Sequence, residues 1–367
     1  MTVGFYSPWP PARTGVADYS AALFRELCKL GDVRVSDPNA DIALYHIGNN
    51  SQHRDIYRQA LARPGVAVLH DALLHHFFLG TLDQAAYTEE FVYNYGEWSR
   101  GLAQQLWTHR ARSGADPRYF NYPMIKRVAE TSRAVIVHNP AAAAIVKRHA
   151  PDTRIFEIPH LFLPPQAPAE IDTLRFRESL GLGPRTLLAG VFGHQRESKR
   201  LAVVLRAFAR ALASGVDARL LVSGAFVSEV YERSLEPLLN GPRILRTGYL
   251  PDREFWRYAA ATDLCINLRF PSAAETSGVA IAMMGIGKPV AFTAGEETAR
   301  IPSNACLRVD VGLAEEGMLA GYMVWLAQDR EAGAAIGTRA AAHIASEHAP
   351  RKAARLYWEA CSECPRP

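Results

Sequence analysis

The short segment ETSG combines a carboxylate with a run of bare backbone amides. Glu275, Thr276, Ser277 and Gly278 follow the strand-like LCINLRF and precede an apolar helical run. The first N–H groups of a helix have no partner inside it, and they bind phosphate or sugar oxygens. A carboxylate repels phosphate but accepts hydrogen bonds from hydroxyl groups. The spacing therefore indicates a ligand with both phosphate and sugar hydroxyls; the alternative is a capping cluster with Glu275 in solvent.

A second segment, VFGHQRESKRL, supplies positive charge after another predicted strand. Lys199 and Arg200 stand at the start of a predicted helix. Basic residues at this place favour an anionic small ligand, to which they can form charge-assisted hydrogen bonds. His194, Arg196 and Arg269 are further candidates for this role. Basic residues at a helix start are also often merely solvated, which is the structural alternative.

Candidate residues also stand at strand ends in the first half of the chain. Gly15, in SPWPPARTGVADYS, lets the backbone pass close to a ligand, although the segment lacks the G-x-G-x-x-G fingerprint of dinucleotide sites. VAVLHD ends with His70 and Asp71. A plain β–α turn and a structural histidine are the alternatives. Secondary candidates at similar strand ends are Asn50, His53 and His138.

Neighbouring histidines raise the question of a metal. His75 and His76 follow His70 and Asp71 closely. Adjacent residues on a helix point about 100° apart, which does not suit joint coordination. We therefore predict no metal site.

Short apolar runs alternate with helical segments throughout the chain. The strand-like runs are VGFYS, DIALYHIG, VAVLHD and AVIVHN, and, after the proline-rich RIFEIPHLFLPPQAPAEID, TLLAGVFG, ARLLVSG, RILRTGYL, LCINLRF and PVAFTAG. Such alternation predicts β–α units around mainly parallel sheets, and the interruption indicates a linker between two domains. In these sheets ligands bind beyond the carboxyl ends of the strands, where the candidate residues stand.

Length and composition agree with two globular domains. The 367 residues are too many for one ordinary core, and 49% are hydrophobic and 21% charged. The net charge is +4, and the Lys and Arg residues are scattered instead of forming the basic runs that follow a nucleic-acid backbone. We therefore expect no nucleic-acid partner. The N-terminus has no signal-peptide pattern, and no apolar run is long enough to span a bilayer. We expect a cytoplasmic protein, for which peripheral contact with the inner membrane face stays open.

The five cysteines are scattered along the chain. An odd number without regular spacing favours reduced thiols over a disulfide framework. Cys361 and Cys364 form a lone C-x-x-C, for which half a zinc site or a redox pair is the alternative.

The order of strand, LR-x-P, ETSG, helix and GKPV resembles the retaining glycosyltransferases of family 4, which have the GT-B fold. The resemblance implies an α/β protein with two doubly wound, Rossmann-like domains facing across a cleft. It implies an acceptor-side domain over residues 1–162 and a nucleotide-sugar donor domain over 163–345. Residues 346–367 would form a C-terminal helix that packs back on the first domain.

The resemblance also implies roles for the motif residues. In the family, the residue matching Glu275 contacts hydroxyls of the donor sugar, and the amides matching residues 276–278 hold sugar and phosphate. Lys199 matches the lysine that neutralises the diphosphate, with Arg200 beside it. His70 matches a histidine that positions the donor sugar.

Other positions match the family less closely. The loop at Gly15 corresponds to a glycine loop next to donor and acceptor, and Gly248 falls where the second domain lines the base pocket. His194 stands where the family usually has an arginine. Ala282 and Met283 occupy the positions where a second glutamate usually binds the ribose, so how the ribose is bound stays open.

The implied activity is a metal-independent, hexosyltransferase-type transfer in glycan biosynthesis. A sugar would move from a nucleotide diphosphate sugar to a hydroxyl of a glycan, lipid-linked or small-molecule acceptor, with retained anomeric configuration and no cofactor. The alternatives are a sugar-nucleotide 2-epimerase of the same architecture and a non-catalytic nucleotide-sugar-binding subunit. The sequence does not determine the base, the sugar, the acceptor, the linkage or the oligomeric state.

Overall fold

The computed structural model describes residues 1–12, 14–165 and 170–364. These residues form two compact units. Unit 1 takes its described residues from Met1–Leu161, Pro271–Thr276 and the chain from Glu347 onward, and unit 2 takes them from Phe162–Phe270 and Ser277–Ser346.

Unit 1 contains a six-stranded parallel sheet in the order β2-β1-β3-β4-β5-β6. Its strands are β1 (Thr2–Tyr6), β2 (Asp32–Val35), β3 (Ile42–Ile47), β4 (Val66–Leu69), β5 (Ala134–Val137) and β6 (Ile155–Glu157). The central strands β3, β4 and β5 are buried along their whole length, as is usual for parallel strands covered on both faces.

The sequence patterns did not predict the two edge strands of this sheet. β2, with the sequence DVRV, is mostly exposed and therefore lacks an apolar run. β6 is only three residues long and lies inside the segment interpreted as a linker, so that interpretation is wrong for residues 155–157. Residues 166–169 of the same segment lie outside the described residues.

The helices of unit 1 are α1 (Gly15–Leu27), α2 (Arg54–Ala62), α3 (His75–Thr81), α4 (Gln84–Tyr95), α5 (Arg100–Thr108), α6 (Lys126–Thr131), α7 (Pro140–His149) and α15 (Pro350–Ser362). The Thr14 hydroxyl caps α1 by accepting a hydrogen bond from the Val16 N–H, at 3.0 Å. α15 packs against α1, where the hydroxyls of Tyr19 and Tyr357 are hydrogen-bonded at 2.9 Å in a buried contact.

Unit 2 contains a second six-stranded parallel sheet, in the order β12-β11-β10-β7-β8-β9. Its strands are β7 (Leu187–Phe192), β8 (Ala218–Ser223), β9 (Ile244–Gly248), β10 (Leu264–Asn267), β11 (Val290–Thr293) and β12 (Leu307–Val309). The remaining helices are α8 (Glu170–Ser179), α9 (Leu201–Ala213), α10 (Glu229–Leu239), α11 (Asp252–Ala261), α12 (Gly278–Gly285), α13 (Glu315–Gln328) and α14 (Arg330–Glu347). Within the described residues, no helix has both the length and the apolar character needed to cross a bilayer.

Each sheet has one point at which the strand order reverses direction. In unit 1 this switch point lies between β1 and β3, and in unit 2 it lies between β7 and β10. Loops that leave neighbouring strands there turn to opposite faces and open a crevice at the carboxyl edge, where ligands of such sheets bind. Ligand-binding residues are therefore expected in the loops that follow these four strands.

Two loops of unit 2 approach each other closely at Gly224. Its φ is +122°, and a Cβ at this residue would lie only 2.3 Å from the carbonyl oxygen of Gly193. A side chain here therefore costs both backbone strain and a contact with rigid main chain.

Gly224→Ala is expected to lower the free energy of unfolding by about 3 kcal/mol or more, measured by chemical denaturation. Gly215→Ala is the matched control, because Gly215 has φ +83° but nothing within 4 Å of an added Cβ. That control should cost only about 1 kcal/mol. Equal losses for the two variants would contradict a close approach of the loops after β7 and β8.

Candidate functional site

Two positively charged features of unit 2 meet at Gly193, directly after β7. A Cβ on Gly193 would lie 3.0 Å from Nζ of Lys199 and 3.8 Å from Cγ2 of Val279, in the first turn of α12. Lys199 is only 4% exposed, and its ammonium donates a hydrogen bond to the carbonyl of Phe192. An ammonium and the amino end of a helix therefore converge on one backbone position at the switch point.

The loop after β10 is joined to the loop that carries Lys199. The Phe270 N–H donates to the carbonyl of Ser198 at 2.8 Å. Arg269 is held by its own N–H, which donates to the Thr293 hydroxyl at 2.9 Å. Because β7 and β10 are neighbours in the sheet, Lys199 and Arg269 follow adjacent strand ends.

Arg200 is already paired in the structure. Its backbone is left-handed, with φ +59°, and its guanidinium forms a salt bridge with Glu315, which is only 2% exposed. Glu315 therefore compensates the charge of Arg200 within unit 2. The prediction that Arg200 also binds a donor diphosphate stays a prediction.

The residues between Gly193 and Lys199 differ in their surroundings. His194 and Arg196 are exposed, and desolvation together with the charges of Lys199 and Arg196 lowers the pKa of His194. Gln195, which the sequence did not single out, is fully buried. Its amide donates to the carbonyls of Gly193 at 2.7 Å and Ser223 at 3.0 Å, and so it joins the loops after β7 and β8.

Gly248 ends β9 in a left-handed conformation, with φ +64° and nothing within 4 Å of an added Cβ. Its carbonyl accepts a hydrogen bond from the Gly224 N–H at 2.7 Å. The open space at Gly248 is compatible with the close approach of a planar base that the sequence suggested.

The ETSG segment is divided between the two units. Pro271–Thr276 belongs to unit 1 by its contacts, whereas the domain division expected from the sequence placed it in the second domain. Ser277 caps α12, because its hydroxyl accepts from the Ala280 N–H at 3.3 Å, and Gly278 is the exposed first residue of that helix. Glu275 is half-buried and its Oε2 accepts from the Ala273 N–H at 3.0 Å.

Asn139 holds this segment in unit 1. Its Nδ2 donates to the carbonyl of Ala274 at 2.8 Å and to the hydroxyl of Thr276 at 3.0 Å. Its Oδ1 accepts from the Ala142 N–H at 2.9 Å and caps α7. Ala274 has an unfavourable φ of +53°, so these bonds offset local strain. The signal that could have found Asn139 is its position before Pro140, which marks a helix cap.

The register of unit 1 brings three histidines to one face of the sheet. His46 is aligned with Val68, and Val68 with Ile136. Side chains two residues apart on a strand share a face. His70 is two residues after Val68 and His138 is two residues after Ile136, so both lie on the face that carries His46.

These residues form a histidine cluster, defined here as His46, His70, His138, His160 and Tyr19. The rings of His46 and His70 are stacked at 5.2 Å, and the ring of His138 lies 5.1 Å from that of His70. Tyr19 contacts His70 edge to face at 5.1 Å and His160 at 4.5 Å. Burial, and next the neighbouring imidazoles, hold the pKa of His46 and His70 well below the ordinary value, and burial lowers the pKa of His138 to about 4.

The remaining candidates of unit 1 take part in local structure. Gly15 begins α1, one turn before Tyr19, with nothing within 4 Å of an added Cβ. Asp71 accepts from the Asn49 N–H at 2.9 Å, and Asn50 caps a short turn. His53 is buried and donates from Nδ1 to the carbonyl of His46 at 2.9 Å.

The neighbouring pair on α3 is engaged in the interior of unit 1. His75 uses both ring nitrogens, on the Tyr122 carbonyl at 3.1 Å and the Tyr87 hydroxyl at 2.7 Å. His76 bonds to the Ser113 carbonyl at 3.2 Å. In the part of the chain that the structure describes, no three His, Cys, Asp or Glu side chains are arranged to hold a metal ion.

Solved structures share this architecture, although no protein-family model and no curated protein matches the sequence. Sucrose-phosphate synthase from Thermosynechococcus elongatus matches with TM-score 0.67 and 15% identity, over 99% of this chain and 98% of that one. Anabaena HepE, in complex with UDP and glucose, matches with TM-score 0.70 and 15% identity, over 99% and 100%. The chain has the GT-B fold.

A third GT-B structure is WaaG, a glycosyltransferase involved in lipopolysaccharide biosynthesis. It matches with TM-score 0.62 and 15% identity, over 97% of this chain and 99% of that one. The expected fold class, two Rossmann-like parallel sheets with flanking helices, is confirmed.

Asn139→Asp separates the two duties of Asn139. The carboxylate can still cap α7 but has no N–H for Ala274 and Thr276, so the segment should loosen while the helix cap remains. We expect a loss of about 1 to 3 kcal/mol in the free energy of unfolding and faster amide hydrogen exchange in residues 272–277. Asn121→Asp, at a position outside these contacts, is the control. Unchanged exchange in Asn139→Asp would contradict the tether.

The buried imidazoles predict a loss of stability in mild acid. A histidine whose pKa is lower in the folded than in the unfolded chain binds its proton mainly on unfolding, so the free energy of unfolding falls as pH drops below about 6.5. For His138 the loss continues to about pH 4, where the folded state also becomes protonated. Each such group contributes up to about 1.4 kcal/mol per pH unit in this window.

Denaturant titrations between pH 7 and 5 measure this effect. His138→Asn should flatten the pH dependence, because an asparagine keeps a donor for the Ile158 carbonyl, which Nδ1 of His138 contacts at 2.9 Å, but has no titrating group. His109→Asn, at an exposed position, should leave the slope unchanged. A His138→Asn slope equal to wild type would show that His138 is not responsible.

Proposed function

We propose that this protein is a retaining glycosyltransferase of family 4 that moves a sugar from a nucleotide diphosphate sugar to an acceptor hydroxyl. The observation that carries the proposal is the convergence of the Lys199 ammonium and the first turn of α12 at Gly193. A buried cation beside a helix amino end suits a diphosphate. The GT-B fold supports the same interpretation, since solved examples include HepE in complex with UDP-glucose.

The diphosphate would bind Lys199 and the amides at the start of α12, with Arg269 as the neighbouring cation. These groups stabilise the leaving group because they are in place before charge develops on it. Lys199 is preorganised by its bond to the Phe192 carbonyl, and it needs little reorganisation at the moment of transfer. Arg200 acts through its salt bridge with Glu315, which holds the turn that carries Lys199.

The sugar hydroxyls would be bound by Glu275 and His70. Asn139 tethers the residues on both sides of Glu275, and this orients the carboxylate. The acceptor would bind to unit 1 near Gly15, where the backbone is open. Attack from the same face, assisted by the departing phosphate, requires neither a metal nor a dedicated base. Ala282 and Met283 stand where the family usually has a second glutamate, so the ribose would be bound without that carboxylate.

Glu275→Gln tests the role of the carboxylate. The amide is nearly the same size but carries no charge for the sugar hydroxyls, so we expect kcat to fall about 100-fold or more with an unchanged unfolding transition. Glu229→Gln, at a side chain that is 92% exposed, is the matched control. Transfer by Glu275→Gln at the wild-type rate would contradict the assignment.

Thermal shifts with UDP-, GDP-, ADP- and TDP-sugars identify the donor. A ligand at 100 times its Kd stabilises the fold by about 2.7 kcal/mol, and we expect one base to give this shift and Lys199→Ala to abolish it. Consumption of the donor without an acceptor, to give an epimer, would instead identify an isomerase. Binding of the donor with neither sugar transfer nor slow hydrolysis would identify a non-catalytic binding subunit.

A further inference from the structure

The protons of several histidines in unit 1 are fixed by backbone carbonyls. Nδ1 of His53 contacts the carbonyl of His46, Nδ1 of His138 that of Ile158, and Nδ1 of His160 that of Leu161, each at 2.9 Å. A carbonyl can only accept, so each of these neutral rings carries its proton on Nδ1. Nε2 is therefore a bare lone pair in all three rings.

The contact between His46 and His70 differs because it joins two imidazoles. Nδ1 of His46 lies 3.0 Å from Nε2 of His70. Either ring could donate, but Nε2 of His46 is buried and has no partner among the described residues. If His70 donated, His46 would carry its proton on this Nε2 and leave a buried N–H without an acceptor, which is rare in proteins. If His46 donates, only a lone pair is left unpaired, as in His53 and His138.

His46 is also held rigidly. It is fully buried on β3, and its ring packs against Phe5 with centroids 4.6 Å apart. His70, by contrast, is only half-buried. The bond from His46 occupies Nε2, and Nδ1 is the ring nitrogen left to a ligand.

We propose that His46 is a positioning residue whose Nδ1–H donates to Nε2 of His70 and thereby confines the proton of His70 to Nδ1. His70 then presents an Nδ1–H donor to an oxygen of the bound sugar. In the other tautomer a lone pair would face that oxygen and repel it. The catalytic part of this inference rests on the proposed glycosyltransferase function, whereas the tautomer itself does not.

The tautomer is measured directly on the full chain labelled with ¹⁵N-histidine. Long-range ¹H–¹⁵N spectra distinguish protonated from bare ring nitrogens, and the His70 signals are assigned by their loss in His70→Asn. We expect a protonated Nδ1 and a bare Nε2 for His70 in the wild type. In His46→Leu the proton should redistribute towards Nε2. A protonated Nε2 of His70 in the wild type would overturn the proposal.

Kinetics test whether the tautomer matters for transfer. We expect His46→Leu to lower kcat/KM by about 10- to 100-fold, by analogy with the loss seen when a residue that orients a metal-ligating histidine is removed. His46→Asn should recover most of this loss, since an asparagine Nδ2–H can replace the Nδ1–H donor. In a His70→Ala background, His46→Leu should have no further effect, because His46 acts through His70.

The outcomes separate the two proposals. Wild-type kinetics in a folded His46→Leu protein that still transfers sugar would overturn the positioning role and leave the proposed function intact. Absence of transfer activity in the wild type would contradict the proposed function, while the NMR experiment would still decide the tautomer. If His46→Leu does not fold, His46→Asn and the spectrum of the wild type carry the test.

Discussion

Asn139 donates from one amide group to the Ala274 carbonyl and the Thr276 hydroxyl, and the position of Glu275 depends on these two bonds. The third bond of the same side chain caps α7, so the amide is anchored to a helix that begins just beyond the carboxyl end of β5. Ala274 is held in a left-handed conformation that alanine does not favour. Strain at such a position persists only where the surroundings determine it, and functional sites are where it is often found.

In the histidine cluster, and in His53 beside it, neighbouring residues determine where each ring carries its proton. Burial keeps the imidazoles neutral, and a neutral imidazole has one donor and one acceptor whose positions depend on its neighbours. Carbonyls decide the proton position in His53, His138 and His160. Burial of the rings reduces stability in acid, and their hydrogen bonds determine which ring nitrogen carries the proton.

Unit 2 combines a nearly buried lysine with the amino end of a helix. Arg200 is compensated by Glu315, Lys199 is nearly buried, and the first turn of α12 lies beside the same position, Gly193. Gly193 lets these groups lie close together, because an added Cβ would be only 3.0 Å from the Lys199 ammonium. Gln195 and Gly224 bring the loops after β7 and β8 together around the same position.

The sequence by itself determined the α/β class, the two parallel sheets and most of their central strands, because apolar runs and helical periodicity are local properties. It also placed Lys199, His70 and Glu275 at strand ends or helix starts for the same reason. Tertiary structure alone decided that Pro271–Thr276 packs with unit 1, that Arg200 pairs with Glu315, and that Asn139 reaches a segment 135 residues away. The contact between His46 and His70 likewise depends on the register of β3 against β4. Pairing and register arise from contacts between residues distant in the chain, and no local pattern encodes them.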